Sequence, residues 1–254
     1  MHPHQNVSIV LPLYNPGNNW VPSFTENIKD LERRAPKGLR FEYIVVNDGS
    51  SNSDICEAFD ILKNRFNIVY ISYEKNCGKG FALRTGVAAG TAPLTVLTDF
   101  DFPYGTQNIL DMVAHLMNGY ELVIGKRNKE YFINLPLKRR FISRMYMVLS
   151  KFSFSLPMYD IQSGIKGFGL DGKKIFLETK INRFLIDTEF VLCATRKKIP
   201  LKVLGVSIKK DVQFSNFGIR IIFTEMKSFI SLFKLNHALK KATNKKINEQ
   251  AGMV

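Results

Sequence analysis

The sequence predicts an α/β protein with a mainly parallel, Rossmann-like central sheet flanked by helices, and three observations point to it. Four short apolar runs, VSIVLPL (7–13), FEYIVVN (41–47), NIVYISY (67–73) and LTVLTDF (94–100), alternate with helical patterns over 20–35, 54–65 and 79–90. The runs are apolar on both alternating faces, as strands buried between two helix layers must be. Polar loops, YNPGNN, NDGSSNSD and DFDFPYG, follow strands directly. Strand–helix alternation builds parallel βαβ units, and their ligand crevice opens at the carboxyl ends of the strands.

The second half is less regular. ELVIGKR (121–127) reads as a strand, 136–155 as a basic, apolar helix and IQSGIKGFGL (161–170) as strand-like. Residues 184–198 read as a helix, LKVLGVSIKK (201–210) as a strand and 219–240 as a second basic, apolar helix. No repeat or low-complexity linker interrupts the chain. The expected organisation is one catalytic-type domain over 1–212, followed by a basic amphipathic helical extension and tail over 213–254.

A chain of 254 residues, 45% hydrophobic and 23% charged, suffices for one large α/β domain. No run reaches the roughly 18–20 apolar residues that span a bilayer. The N-terminal MHPHQNVSIVLPLYN has no basic n-region, so no signal peptide is expected. Cys56, Cys77 and Cys193 are scattered without a CxxC, which argues against zinc and disulfides and for a reducing cytoplasm. The formal net charge of +14 implies an anionic partner. Residues 126–151 hold Lys126, Arg127, Lys129, Lys138, Arg139, Arg140, Arg144 and Lys151 against the single acid Glu130, and the tail from Arg220 is also basic. Nucleic acid is set aside, because no recognition motif appears and the basic stretches are heavily apolar. LPLKRRFISRMYMVLSKFSFSL and GIRIIFTEMKSFISLFKLNHALKK instead have the makeup of helices lying on an anionic bilayer surface. A core-packed helix with a solvated basic face has the same composition. The expected location is cytoplasmic, peripheral to the membrane face; the oligomeric state is not legible.

The strongest chemical motif is Asp99-Phe100-Asp101, where a buried strand opens into a loop. Two carboxylates one residue apart can share a divalent cation, and hard oxygen ligands suit Mg²⁺ or Mn²⁺ on a diphosphate. Asn47-Asp48-Gly49-Ser50 ends the second strand; its acid suits a base or ribose, or equally an Asx-turn before the helix near Asp54. Glu74-Lys75-Asn76-Cys77-Gly78-Lys79-Gly80 leads into a helix, and its small residues and cation suggest a phosphate cradle, although no Walker A pattern is matched.

Pro12-Leu13-Tyr14-Asn15, Val46-Asn47-Asp48-Gly49-Ser50, Asn76-Cys77-Gly78-Lys79-Gly80 and Asp99-Phe100-Asp101 occur in an order that resembles the family 2 glycosyltransferases of the GT-A fold. EKNCGKGFALRTGV is similar to the branch containing dolichyl-phosphate glucosyltransferases and dolichol-phosphate mannose synthases. So is Asp160-Ile161-Gln162-Ser163-Gly164-Ile165-Lys166-Gly167-Phe168, as is the run RFLIDTEFVLCATRKKIPLKVLGVSI with its F-D-x-E-like helix. The resemblance covers roughly 7–212 and implies a GT-A nucleotide-diphospho-sugar transferase. It implies that Pro12, Tyr14 and Asn15 border the nucleotide pocket, that Asp48 and Asp99 contact base and ribose, and that Asp101, with Asp99, holds the metal. Lys79 and Gln162 would face the same pocket, Arg127 and Lys166 would neutralise phosphate, and Asp187 and Glu189 would form the acidic pair of the later helix.

Two departures favour the glucosyltransferase side: Phe100 and Phe102 flank Asp101 where the family has small residues, and Pro103 stands where the mannose branch has a polar residue. The resemblance implies inverting transfer from a UDP- or GDP-sugar to a polyprenyl phosphate. A phosphate monoester is already ionised near neutral pH and needs no strong base, whereas a sugar-hydroxyl acceptor in a polysaccharide or lipid-linked oligosaccharide would need Asp187 or Glu189 as one. An inactive glycosyltransferase-like binding subunit is the alternative of another class; the intact acids speak against it.

Overall fold

The computed structural model describes residues 5–52, 54–128, 131, 140, 143, 147–148, 150, 153–154, 160–209, 228–238 and 241. The elements run β1 (Gln5–Leu13), α1 (Trp20–Arg34), β2 (Leu39–Asp48), α2 (Asp54–Leu62), β3 (Ile68–Tyr73), α3 (Lys79–Ala89), β4 (Leu94–Leu97), α4 (Gly105–Met117), β5 (Leu122–Arg127), β6 (Lys166–Phe168), α5 (Leu170–Leu177), α6 (Ile186–Arg196) and β7 (Leu201–Val206). A further helix occupies 228–238. The strands form one sheet in the order β3-β2-β1-β4-β6-β5-β7. β1 pairs in parallel with β2 and β4, β2 with β3 and β5 with β7; β6 alone runs antiparallel, between β4 and β5.

Period-two alternation explains why the strands read as unbroken apolar runs. Val7, Ile9, Leu11 and Leu13 face one core with α1, α2 and α4, while Val10 faces the other with α3, α5 and α6. Phe41, Tyr43 and Val45 of β2 go to the first core, Ile44 and Val46 to the second. Helix 228–238 joins the second core through buried Leu232, with the Phe229 ring tilted against Phe154 at 5.3 Å between centroids. Asn236 accepts from Arg196 (2.8 Å) and donates to the Ser153 carbonyl (3.0 Å). Residues 228–238 of the extension are therefore packed on the domain. The proposed boundary at 212/213 and most of the helix expected over 136–155 lie outside the described residues.

Several expectations are corrected. The strand expected over 94–100 ends at Leu97; Thr98 N still donates to the Val10 carbonyl, and Phe102 N then donates to the Asp99 carbonyl to close a turn. The strand-like stretch 161–170 is reduced to Lys166–Phe168, because that strand is wedged between β4 and β5. α4 and α5 were not expected. α4 carries its own signal, with Ile109, Met112, Val113 and Leu116 buried at helical spacing.

One buried carboxylate belongs to the fold rather than the crevice. Glu42 accepts hydrogen bonds from Ser8 Oγ, from Thr91 N and Oγ1, and from Ala92 N, tying β2 to the turn before β4. Burial pushes its pKa up, but these donors together outweigh burial and hold it below the ordinary glutamate value. A depressed folded pKa contributes stability that is present above the unfolded value, about 4.3, and is lost as pH falls through the folded value. Glu42→Gln should cost about 1–3 kcal/mol at neutral pH. It should also flatten the loss of stability on acidification below about pH 4.3, as read by urea unfolding across that range.

Candidate active site

The carboxyl ends of β1, β2 and β4 deliver their loops to one edge of the sheet, as the parallel topology requires. Asn15 sits in the left-handed region (φ 43°); its amide donates to Ser50 Oγ, and its Oδ1 accepts from Ser51 N at 3.0 Å. The loop after β1 is thereby stitched to the loop after β2, with Tyr14 exposed and Pro12 half-buried beside it. Asp48, at the end of β2, is buried. Its carboxylate accepts from Cys77 N (2.7 Å), Gly78 N (2.9 Å) and Asn76 Nδ2 (3.0 Å). Within the fold, Asp48 organises the 76–78 turn.

That arrangement corrects the expected phosphate cradle. The amides of Cys77 and Gly78 are given to Asp48, and those of Gly80 and Phe81 to the Asn182 carbonyl. What the turn offers an anion is the side chain of Lys79, at the start of α3. Lys79 ion-pairs with Asp99 and is 19% exposed. Burial opposes its charge, yet Asp99, Asp187 and Asp101 outweigh burial and raise its pKa. The structure thus brings together Lys79, Asp99, Asp101 and Asp187 from α3, the loop after β4 and α6.

The phenylalanines around Asp101 have a packing reason. Phe100 stacks on Phe24 (centroids 4.7 Å apart) and lies 5.5 Å from Trp20, while Phe102 is fully buried in left-handed backbone (φ 49°). Both rings anchor the turn in an aromatic cluster with Phe59 and Tyr70, and Asp101 is left exposed between them. The protein packed around the turn partly desolvates its carboxyl although the side chain stays open to solvent, and this, then the neighbouring Asp99 charge, raises the Asp101 pKa. A carboxyl whose ionisation is opposed by a neighbouring carboxylate is suited to sharing a cation with it. Gly164 makes room for the Asp99 carboxylate: a Cβ there would lie 2.5 Å from Asp99 Oδ2. Among the described residues no group of three or more His, Cys, Asp or Glu could hold a metal. Asp99 and Asp101 are hard oxygen donors of the kind that Mg²⁺ or Mn²⁺ takes, and two carboxylates leave further positions for other oxygens.

The two basic residues expected to neutralise phosphate are buried in ion pairs. Lys166, fully buried on β6, donates to Asp187 Oδ1 (2.7 Å) and the Ser163 carbonyl (2.6 Å). Its burial lowers its pKa despite Asp187. Arg127 forks onto Asp160 through Nε (2.9 Å) and Nη2 (2.5 Å), while its backbone amide also donates to Asp160. Burial works against the Arg127 charge, but the Asp160 hydrogen bonds outweigh it and raise the pKa. Asp187 and Glu189 diverge, since residues two apart on a helix point about 200° apart. Asp187 meets Lys166, whereas Glu189 accepts from the amides of Lys180 and Ile181. Gln162 is half-buried in the stretch before β6.

Sequence reasoning named no role for Asp160, Gly164, Tyr104 or Lys209. The first two stand in the quoted D-x-Q-S-G stretch, and their residue types carried the signal. Tyr104 Oη accepts from Gly164 N at 3.0 Å. Lys209, whose charge counters the raised Asp101 pKa, donates from its amide to the Pro103 carbonyl and from Nζ to Asn27. Nothing local in the sequence marks these long-range contacts.

Comparison with known proteins agrees with this geometry. Over 218 residues the chain is 27% identical to a dolichyl-phosphate beta-glucosyltransferase of Trichomonas vaginalis, covering 80% of this chain and 66% of that protein. The Dictyostelium discoideum dolichyl-phosphate beta-glucosyltransferase is 24% identical, with 79% and 65% covered. The chain thus spans a little under two thirds of the length of these two relatives. Its fold matches glucosyl-3-phosphoglycerate synthase from Mycobacterium tuberculosis in complex with UDP, at TM-score 0.64 and 16% identity over 91% of this chain and 80% of that one. The same enzyme with Mn²⁺ and UDP-glucose matches at TM-score 0.61 and 17% identity, with 91% and 79% covered. This is the GT-A fold. The model of glycosyl transferase family 2 matches residues 8–170, from β1 through the acid pair to the start of α5, and the chain belongs to that family.

Proposed function

We propose that the chain transfers a sugar, with inversion, from a UDP- or GDP-sugar to a polyprenyl, dolichyl-type phosphate at the cytoplasmic membrane face, with Mg²⁺ or Mn²⁺. The observation that carries the reading is the meeting of Asp101, Asp99 and Lys79 after the carboxyl end of β4, where the acid pair and a cation act on one another. A divalent cation held by Asp99 and Asp101 would offset the charge of a nucleoside diphosphate leaving group. Lys79 adds a cation beside the same phosphates, and Pro12, Tyr14 and Asn15 border the nucleotide, with Asp48 keeping the 76–78 turn against it. Lys166 orients Asp187, Arg127 and Asp160 brace the end of β5, and Gln162 lies toward the same edge.

The state of the acids supports an acceptor of the phosphate class. Asp187 is engaged by a buried ammonium, and Glu189 is given to backbone amides. These engagements compete with a role as general base, which favours an acceptor that arrives ionised. The names of the dolichyl-phosphate relatives support phosphate on a polyprenol, and glucose as the sugar. Membrane association is supported by helix 228–238: its inner face is packed, while Ile230 and Phe233 are 57% and 56% exposed beside Lys234. Among the described residues no helix is long and apolar enough to cross a membrane.

The test is a panel of radiolabelled nucleotide-sugars incubated with Mn²⁺ and polyprenyl phosphate in vesicles. Label that extracts into organic solvent and is released by mild acid is the expected product. Label in a water-soluble glycan would assign the hydroxyl reading instead, and no transfer from any donor would leave the binding-subunit reading.

A further inference from the structure

Residues 179–183, between α5 and α6, are tied down from two directions. From α6, Glu189 accepts from Lys180 N at 3.0 Å and Ile181 N at 2.8 Å. From α3, the Arg84 guanidinium donates to the Ile181 carbonyl at 2.6 Å and to Asn182 Oδ1. The loop in turn caps α3, with Gly80 N and Phe81 N donating to the Asn182 carbonyl at 2.8 and 3.2 Å. Contact is close enough that a Cβ on Gly78 or Gly80 would come 2.4 Å from the carbonyl oxygen of Asn182 or Ile181. Lys79 stands between those glycines and reaches Asp99.

We infer that Glu189 and Arg84 are positioning residues: by fixing the 180–182 backbone they seat the first turn of α3 and so aim Lys79 at Asp99 and the donor phosphates. The chain of contacts is continuous, from the Glu189 carboxylate through two amides and the Asn182 carbonyl to the amide that follows Lys79. Ordinary loop packing would explain the hydrogen bonds as well. It would not, however, require an effect of Glu189 on activity that passes through Lys79. The inference rests on the proposed role of Lys79, so one readout is independent of that role.

The independent readout is the rate at which Lys79 is acetylated in the intact protein, followed by peptide mass spectrometry. Glu189→Ala is expected to raise Lys79 labelling severalfold relative to the exposed Lys63, while Glu189→Gln, which keeps one acceptor oxygen, falls between. The second readout is a double-mutant cycle on kcat/KM for the nucleotide-sugar. Glu189→Ala should lower it about 10–100-fold with Lys79 present and produce no further loss in the Lys79→Met background. Unchanged Lys79 labelling, or an equal loss in both backgrounds, overturns the inference. Where Glu189→Ala does not fold, Arg84→Met carries the same cycle. Raised labelling in a protein that turns over no nucleotide-sugar would sink the proposed function and leave the placement of Lys79 standing.

Discussion

Asp101→Ala is expected to lower sugar transfer about 10²–10³-fold, the scale of losing one well-placed charge-stabilising group, equivalent to roughly 3–4 kcal/mol of transition-state stabilisation. Asp101 is exposed, and the turn that carries it is anchored by Phe100 and Phe102 rather than by its carboxylate. Removing the acid should therefore shift stability by no more than about 0.5 kcal/mol. The pairing of large kinetic loss with intact fold is the signature of a group that acts on the ligand. Asp99→Ala should behave differently, because it also releases Lys79 from its ion pair. Steady-state kinetics with urea unfolding of both variants separates the two cases.

The second large effect is on stability. Lys166→Met leaves the Asp187 carboxylate in a buried position with its ammonium gone, and breaking such a pair costs about 3–5 kcal/mol. Lys166 and Asp187 are 0% and 8% exposed, and the Lys166 ammonium also satisfies the Ser163 carbonyl. Replacing both, as Lys166→Met with Asp187→Leu, should recover most of that loss, since two apolar side chains leave no uncompensated charge. Activity should not return with it, because Asp187 would no longer border Lys79. Urea unfolding of the single and double variants measures the difference. Equal destabilisation in both would mean that the pair contributes through packing.

The legible part of the fold was that governed by local pattern. β1, β2 and β4 and the loops after them are readable because strands buried on both faces leave apolar runs and their loops carry the polar residues; β3 shows the same apolar run although it is an edge strand with Val69 exposed. α4 is equally legible, since Ile109, Met112, Val113 and Leu116 spell its buried stripe. β6 was not, since three residues placed antiparallel between β4 and β5 owe their strand state to partners far away in sequence. The site divides in the same way. Asp99 and Asp101 announced themselves by spacing and position, and Phe100 and Phe102, read as a departure from the family, turned out to serve the aromatic core. The fates of Arg127, Lys166 and Glu189 depended on Asp160, Asp187 and a backbone loop, partners that only the tertiary fold supplies. The glycine-rich turn before α3 invited a phosphate reading, but its amides were already committed to Asp48 and Asn182.

Titration calorimetry of a nucleoside diphosphate against wild-type protein and Asp101→Ala, with Mn²⁺ and again with a chelator, tests the central claim most directly. Tight binding that requires both Mn²⁺ and Asp101 is the predicted result. Binding of equal strength in the chelator, or in Asp101→Ala with metal, would show that the acid pair after β4 does not hold the donor.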